Sequence, residues 1–225
     1  MRLTLKVGFG LRELILATLV ILVGGVLSFA CPNKKYEGKG DKLTAAPYYD
    51  GVKSTIDHVD PPVNSIATFA WCGLDYNLGE MWIQAGWLKI KGESAKMYWE
   101  YTDENGNVKQ GFTVAPAASE TYQVSHEGDD AVWKHGATTY KTHAWSNFDG
   151  KNFDRAVYTA EMHDSPADHT PGGVSNKNKF ASTEVRKVGG SFAAAAMALD
   201  FDGATNGEHE VYGGSGNMRT WDTRD

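Results

Sequence analysis

Cysteine is scarce in this sequence: Cys31 and Cys72 are the two present among 225 residues. Two cysteines cannot build a disulfide scaffold or an all-cysteine zinc site, which excludes two classes of small, cross-linked domain. Two options remain open. Cys31 and Cys72 could form one disulfide, or the two thiols could act separately.

Standard motifs and basic charge are lacking as well. The chain has no Gly-x-Ser-x-Gly, no P-loop and no dinucleotide-binding fingerprint, which excludes the common serine-hydrolase and nucleotide-binding classes. Its 22 basic residues against 28 acidic ones give a formal net charge of -6. We therefore expect no nucleic-acid partner, and we predict no cofactor and no metal.

The N-terminus carries an export signal. An apolar run covers residues 14–30 and follows three basic residues, which is the charge order that the export machinery reads. The run ends in Ser28-Phe29-Ala30, with small residues at the two positions that a signal peptidase inspects. We expect residues 1–30 to be a signal peptide cleaved after Ala30, and the remainder to be secreted as an extracellular protein.

Three other fates of this segment stay open. An uncleaved run of about 17 apolar residues could anchor the protein at the cell surface, with membrane contact only through residues 9–30. The position of Cys31 after the run resembles a bacterial lipoprotein junction. Gly8-Phe9 followed by Glu13 resembles a type IV prepilin junction, which would imply a surface filament subunit.

The rest of the chain has the pattern of a single all-β domain. Residues 31–64 are rich in Gly, Pro, Lys and Asp without periodicity, so they are expected to be a linker or lead-in. From 65 to 225, β-branched and aromatic runs alternate with turn residues. This pattern predicts an antiparallel β-sandwich of the concanavalin-like or lectin-like jelly-roll type, following the N-terminal apolar helix.

Strands are expected at residues 65–72, 81–90, 96–102, 108–114, 120–126, 131–135, 138–144, 154–163, 178–186 and 208–212. Ser191–Leu199, with four consecutive alanines, is the one helix expected beyond the leader.

Two of these strands place polar residues where an enzyme could use them. Strand alternation puts Trp82, Gln84 and Gly86 on one face of residues 81–90, and the glycine leaves room above the sheet for a ligand. In residues 154–163, Glu161 shares a face with polar neighbours. A carboxylate among aromatics can act as a general base, although most strand glutamates are simply solvated.

Four short motifs, in the same order and at similar spacing, resemble those of the glutamic peptidases called eqolisins. They are Trp71-Cys72-Gly73-Leu74-Asp75, Ile83-Gln84-Ala85-Gly86, Tyr98-Trp99-Glu100-Tyr101 and Ala160-Glu161-Met162-His163-Asp164. The resemblance covers about residues 65–186. It departs from the family pattern in having Thr102-Asp103 where proline is common and Met162 where an aromatic residue is common.

The resemblance implies a concanavalin-type sandwich and an acid endopeptidase. It implies Gln84 and Glu161 as the catalytic pair, and Trp71 and Glu100 as supporting residues of the cleft. In such a mechanism Glu161 deprotonates a water that attacks the scissile carbonyl, while the Gln84 amide orients the water and donates to the oxyanion. A polypeptide would then be the substrate.

A binding function is the rival hypothesis. Trp82, together with Trp99 or Trp71, could stack on sugar rings, which predicts a lectin-like domain with a glycan partner. Two loops also carry oxygen and nitrogen ligands, but their spacing matches no standard metal motif, so solvated turns are expected there. The loop residues are His163, Asp164, Asp168 and His169, and Asp200, Asp202, Asn206 and Glu208.

Overall fold

The structure is a computed structural model that describes residues 34–77, 79–148 and 153–225. These residues form strands and one short 3-10 turn at Trp145–Phe148, and none of them lies in an α-helix. The strands are β1 (Lys35–Lys42), β2 (Tyr49–Asp57), β3 (Ala67–Tyr76), β4 (Met81–Ile90), β5 (Lys96–Thr102), β6 (Val108–Phe112), β7 (Ser119–Glu127), β8 (Asp130–His135), β9 (Thr138–Ala144), β10 (Arg155–Met162), β11 (Asn178–Lys187), β12 (Ala193–Ala194), β13 (Leu199–Asp202), β14 (Gly207–Val211) and β15 (Met218–Asp222).

Two antiparallel sheets form a sandwich, which confirms the predicted all-β class. One sheet has the order β13-β1-β10-β3-β4-β5-β6, and the other has the order β14-β15-β11-β2-β7-β8-β9, with β12 paired to β11. Alternate side chains of both sheets meet in one apolar core, where Trp87, Trp133 and Tyr158 are fully buried. The other face of the first sheet is therefore left to carry polar residues.

Each of the ten predicted strands coincides with an observed strand to within a few residues. Those at 81–90, 96–102 and 138–144 have the predicted bounds. Period-two alternation of apolar and polar residues identifies these strands because each has one face toward the core.

The prediction of a linker at residues 31–64 is wrong for the described part of that range. β1 and β2 lie within it, and they pair with β10, β7 and β11. Glycine permits the close pairing of β1, since a Cβ on Gly40 would lie 2.9 Å from the carbonyl oxygen of Ala156. Long-range partners, not local propensity, make this polar, glycine-containing segment a strand.

The helix predicted at Ser191–Leu199 is also wrong. Ala193–Ala194 form β12 against β11, and no helix follows in this described segment. The buried Asp41 carboxylate accepts hydrogen bonds from the backbone N–H groups of Ala196 (2.9 Å) and Ala198 (3.1 Å). These tertiary contacts override the helix preference of alanine.

The predictions about the N-terminal segment lie outside the described residues. Signal cleavage, anchoring, lipidation of Cys31, the filament subunit and the apolar helix all depend on residues 1–33, and they stay predictions. In the part of the chain that is described, no helix is long and apolar enough to cross a membrane.

One histidine connects the edges of the two sheets. His209 of β14 contacts the buried Glu37 carboxylate of β1 through Nδ1, and Asp200 of β13 through Nε2 at 3.0 Å. The hydrogen bond to Glu37 raises the pKa of His209 against the opposing effect of burial, and Asp200 adds to the rise. The connection is therefore strongest when the imidazole is protonated.

Replacing His209 with glutamine is expected to destabilise the fold at acidic pH more than at alkaline pH. A histidine whose folded pKa is raised stabilises fully below its unfolded pKa of about 6.5, and this contribution disappears as pH rises through the folded pKa. The loss at pH 5 should be roughly 1 to 2 kcal/mol. Urea unfolding at pH 5 and pH 9 measures it, with His135→Gln as a control; equal losses at both pH values would contradict the charged link.

Candidate active site

The candidate catalytic residues share the outer face of the first sheet. Gln84 of β4 pairs with Glu100 of β5, and Glu161 of β10 pairs with Phe69 of β3. β3 separates β4 from β10. On β3, Trp71 lies between Phe69, the partner of Glu161, and Gly73, the partner of Gln84. The alternation predicted from the sequence thus places Gln84 and Glu161 on one face, with one strand between them.

Three donors hold the Glu161 carboxylate, which is 2% exposed. Oε2 accepts a hydrogen bond from the Trp71 indole at 2.9 Å. Oε1 lies 2.8 Å from Nε2 of His163 and 2.7 Å from the Lys34 ammonium. The donors come from β3, from the residue after β10 and from the residue before β1, so three separate segments fix this side chain.

Glu161 is ionised over almost the whole acidic range. Burial opposes ionisation, but the Lys34 ammonium and the His163 hydrogen bond outweigh it and lower the pKa of Glu161 to about 2. Burial would also lower the pKa of Lys34, yet the Glu161 carboxylate raises it above its ordinary value. The site therefore contains an ion pair between the buried Glu161 and the half-buried Lys34, in which each charge stabilises the other.

Replacing Lys34 with methionine should raise the pKa of Glu161 by about one to three units, because the carboxylate stays buried while its counter-ion is lost. Methionine keeps the apolar stem in place. A pH titration of the Glu161 carboxyl carbon by NMR measures the change, and Glu161→Gln assigns the signal. Lys35→Met, at the exposed neighbouring position, is the matched control; an equal shift in both variants would contradict a specific pairing with Lys34.

The Gln84 side chain is 5% exposed and is oriented by its neighbours. Its Nε2 donates to the Tyr98 hydroxyl at 3.1 Å and to Oε1 of Glu100 at 3.3 Å. From the core side, the Trp133 indole donates to the backbone carbonyl of Gln84 at 3.1 Å. The amide oxygen of Gln84 is thereby left as the acceptor for a bound molecule.

Glu100 has the opposite protonation preference from Glu161. Burial and the charge of Glu161 raise the pKa of Glu100 to about 7, although the Trp82 indole donates to its Oε1 at 2.8 Å. Between pH 2 and pH 7 the site thus pairs a carboxylate, Glu161, with a carboxylic acid, Glu100. Two carboxyl groups with separated pKa values are typical of acid-base sites.

These residues line a cleft of about 310 Å³. Its walls combine the polar groups above with aromatic and aliphatic side chains, including Tyr36, Trp71, Trp82 and Phe201. Gly86 pairs with Trp71 across β4 and β3, and a Cβ on Gly86 would lie 2.1 Å from the carbonyl oxygen of Ala70. The close approach of β3 and β4 therefore requires glycine at this position, in addition to any space that the glycine leaves for a ligand.

Of the predicted site residues, Gln84, Glu161, Trp71, Trp82 and Glu100 line the cleft together. Trp99 does not. It pairs with Ala85, which faces the core, and its ring stacks on Tyr101 at a centroid distance of 5.9 Å. The prediction that Trp99 shares the sheet face of Trp82 is wrong, because Trp99 precedes Glu100 in β5 and consecutive strand residues point to opposite faces.

Cys72 is fully buried in the core, where its thiol contacts the backbone carbonyl oxygen of Tyr122 at 3.6 Å. Burial raises the pKa of Cys72 to about 12. Cys31 lies outside the described residues, so the disulfide between the two stays a prediction.

Sequence reasoning did not assign to this site four residues that contact the candidate catalytic pair or complete the cleft: Lys34, Tyr36, Tyr98 and His163. Lys34 and Tyr36 lay in the presumed linker and gave no local signal. Tyr98 could have been found from alternation, because it shares a strand face with Glu100. Alternation does place His163 on the face of Glu161, but the sequence suggested only a loop residue that could bind a metal.

The loop with His163 and His169 is held by structural contacts. The fully buried Asp168 carboxylate accepts hydrogen bonds from the backbone N–H groups of Ser65, Ile66 and Ala67 at 2.7 to 3.3 Å. Asp200, in the other loop considered, pairs with Lys39 and His209. No cluster of three or more His, Cys, Asp or Glu residues suited to a metal occurs among the described residues.

Comparison with known proteins places the fold. No protein-family model matches the sequence, and no curated protein matches it. The structure is similar to scytalido-glutamic peptidase bound to a peptide-based transition-state analog, with a TM-score of 0.59 and 15% identity over 84% of this chain and 98% of that chain. It is also similar to SCP-B, a member of the eqolisin family in complex with the tripeptide Ala-Ile-His, with a TM-score of 0.58 and 14% identity over the same shares. The resemblance to eqolisins found in the sequence is confirmed at the level of the fold.

Proposed function

We propose that this chain is an exported endopeptidase that hydrolyses peptide bonds at acidic pH, with Glu161 as general base and Gln84 as the residue that orients the attacking water. The observation that carries the proposal is the arrangement of the cleft. A buried, ionised Glu161 and an oriented Gln84 amide line it together, at the two positions that the eqolisin resemblance assigns to catalysis.

In the first step, Glu161 takes a proton from water as the water oxygen bonds to the scissile carbonyl carbon. The free lone pair of Oε2 is the acceptor, because Oε1 is already shared by Lys34 and His163. The amide oxygen of Gln84 accepts the second hydrogen of the water. The carbonyl oxygen becomes an oxyanion. Gln84 Nε2 donates a hydrogen bond to this oxyanion, in exchange for its 3.3 Å hydrogen bond to Glu100.

In the second step, the tetrahedral intermediate collapses and the C–N bond breaks. Protonated Glu161 returns its proton to the leaving nitrogen, so the carboxylate is restored and no proton is lost. Glu100 stays a neutral acid below about pH 7, so it adds no negative charge that would oppose the oxyanion. The acidic working range follows from this pair of protonation states.

The test is hydrolysis of an unfolded protein by the full chain in water enriched in oxygen-18, at about pH 3 to 4. New C-termini should each carry the heavy isotope, because the attacking water supplies one carboxylate oxygen. A heat-inactivated sample is the control. Absence of new termini at every pH from 2 to 7 would contradict the proposal.

A glycan-binding function is the second candidate, supported by the indoles of Trp71 and Trp82 in the cleft. Both indole N–H groups already donate to carboxyl oxygens, of Glu161 and Glu100, so a sugar would contact the ring faces. Sugar-array binding that survives Glu161→Gln and disappears with Trp82→Ala would favour this reading over the peptidase.

Export is the part of the proposal that depends on the N-terminal segment. N-terminal sequencing of the protein from its native source distinguishes the fates of that segment. A chain that begins at Cys31 supports release after signal cleavage, whereas one that begins at Phe9 supports the filament subunit.

A further inference from the structure

His163 has one polar contact that a structural role does not require. It follows β10 directly, and its backbone N–H donates to the carbonyl of Ala67 at 3.0 Å, so the chain is still held against β3 at this point. The ring is 2% exposed and stacks on Phe69 at a centroid distance of 4.6 Å.

The two ring nitrogens have different surroundings. Nε2 lies 2.8 Å from Oε1 of Glu161. Nδ1 is buried with no hydrogen-bond partner in the described part of the chain. Because the carboxylate only accepts, Nε2 carries the hydrogen of this bond. Buried polar groups are normally satisfied, and among the described residues the bond to Glu161 is the one hydrogen bond that this buried ring makes.

The surroundings of Glu161 explain why one more donor matters. The groups that face it are Lys34, Tyr36, Trp71, Tyr98, Glu100 and His163. Lys34 is a flexible side chain with 35% of its surface exposed, whereas the His163 ring is buried and stacks on Phe69. A rigid donor restricts the rotation of a carboxylate more than a flexible ammonium does.

We infer that His163 is a positioning residue of the proposed peptidase site: its Nε2–H bond to Oε1 fixes the Glu161 carboxylate so that the free lone pair of Oε2 faces the attacking water. The inference rests on the proposed function. His163 touches neither substrate nor water in this role and acts through Glu161 alone.

The experiment compares His163→Leu and His163→Gln with wild type in steady-state peptide hydrolysis from pH 2 to 7. His163→Leu should lower kcat about 10- to 100-fold with KM within about twofold, as expected when an outer hydrogen bond to a catalytic group is lost. The acidic limb of the pH profile, where kcat falls as Glu161 becomes protonated, should move to higher pH by about one unit, because the carboxylate loses a hydrogen-bond donor. His163→Gln, whose amide can still donate, should recover most of kcat and of the limb.

His58→Leu is the matched control, because His58 also packs against an aromatic ring, Trp87, and also has an unpaired buried ring nitrogen. It should leave kcat and the acidic limb unchanged. A folded His163→Leu protein with wild-type kcat and acidic limb would overturn the inference, and so would an equal loss in His163→Gln and His163→Leu.

An NMR titration of the Glu161 carboxyl carbon separates the positioning role of His163 from the proposed peptidase function. If wild type hydrolyses nothing while the Glu161 pKa still rises in His163→Leu, the proposed function fails and the bond between His163 and Glu161 stands.

Discussion

Replacing Glu161 with glutamine is expected to lower kcat/KM for peptide hydrolysis by about 10³- to 10⁴-fold, the contribution of a positioned general base. Glutamine has nearly the same shape, and its amide oxygen can still accept the hydrogen bond that the Trp71 indole donates to Oε2. It cannot accept a proton from water. The chemistry should therefore be lost while the cleft keeps its lining.

The control for this variant removes a comparable charge elsewhere. Glu184 of β11 pairs with Lys53 at 2.9 Å, and both are partly exposed. Glu184→Gln should hydrolyse the substrate at the wild-type rate. Circular dichroism at pH 4 establishes that both variants are folded, and equal cleavage by wild type and Glu161→Gln would rule out Glu161 as the base.

Replacing Glu100 with glutamine is expected to stabilise the protein at pH 8 by up to roughly 3 kcal/mol while changing little at pH 4. Burial and the charge of Glu161 raise the folded pKa of Glu100 from an ordinary 4.5 to about 7. Below pH 4.5 the carboxyl is protonated in both the folded and the unfolded state. As pH rises from 4.5 to 7, the unfolded chain loses the proton first, so the free energy of unfolding falls. Glutamine cannot ionise and escapes this loss.

Glu161 contributes with the opposite sign. Its folded pKa of about 2 lies below the ordinary 4.5, so it adds stability as pH rises from 2 to 4.5, and this contribution is lost again on acidification. Together the two carboxyl groups predict greatest stability near pH 4.5. Urea unfolding of wild type, Glu100→Gln and Glu161→Gln from pH 2 to 8 measures both slopes.

A specific outcome would contradict this account of Glu100. If the difference in unfolding free energy between wild type and Glu100→Gln is the same at pH 4 and pH 8, the pKa of Glu100 is not raised by folding. Glu161→Gln adds a second check. Removal of the Glu161 charge should lower the folded pKa of Glu100, so the loss of stability above pH 4.5 should become smaller and end at a lower pH.

Period-two alternation accounts for most of what could be predicted about the site. It placed Gln84 beside Trp82 and Gly86, and Glu161 on the polar face of its strand, because a half-buried strand must send consecutive side chains in opposite directions. The same rule, applied to Trp99 and Glu100, shows that they cannot share the cleft, and only one of these two neighbours could have been a site residue.

The sequence by itself determined the all-β class, most of the strands and the faces of Gln84 and Glu161, because these depend on local periodicity. The tertiary structure alone decided which distant groups meet. β1 is a strand through its pairing with the distant strands β10 and β13, and the pairing with β10 brings Lys34 to Glu161. The ionised state of Glu161 and the protonated state of Glu100 depend on burial and on charges from other strands, quantities that no local stretch of sequence specifies.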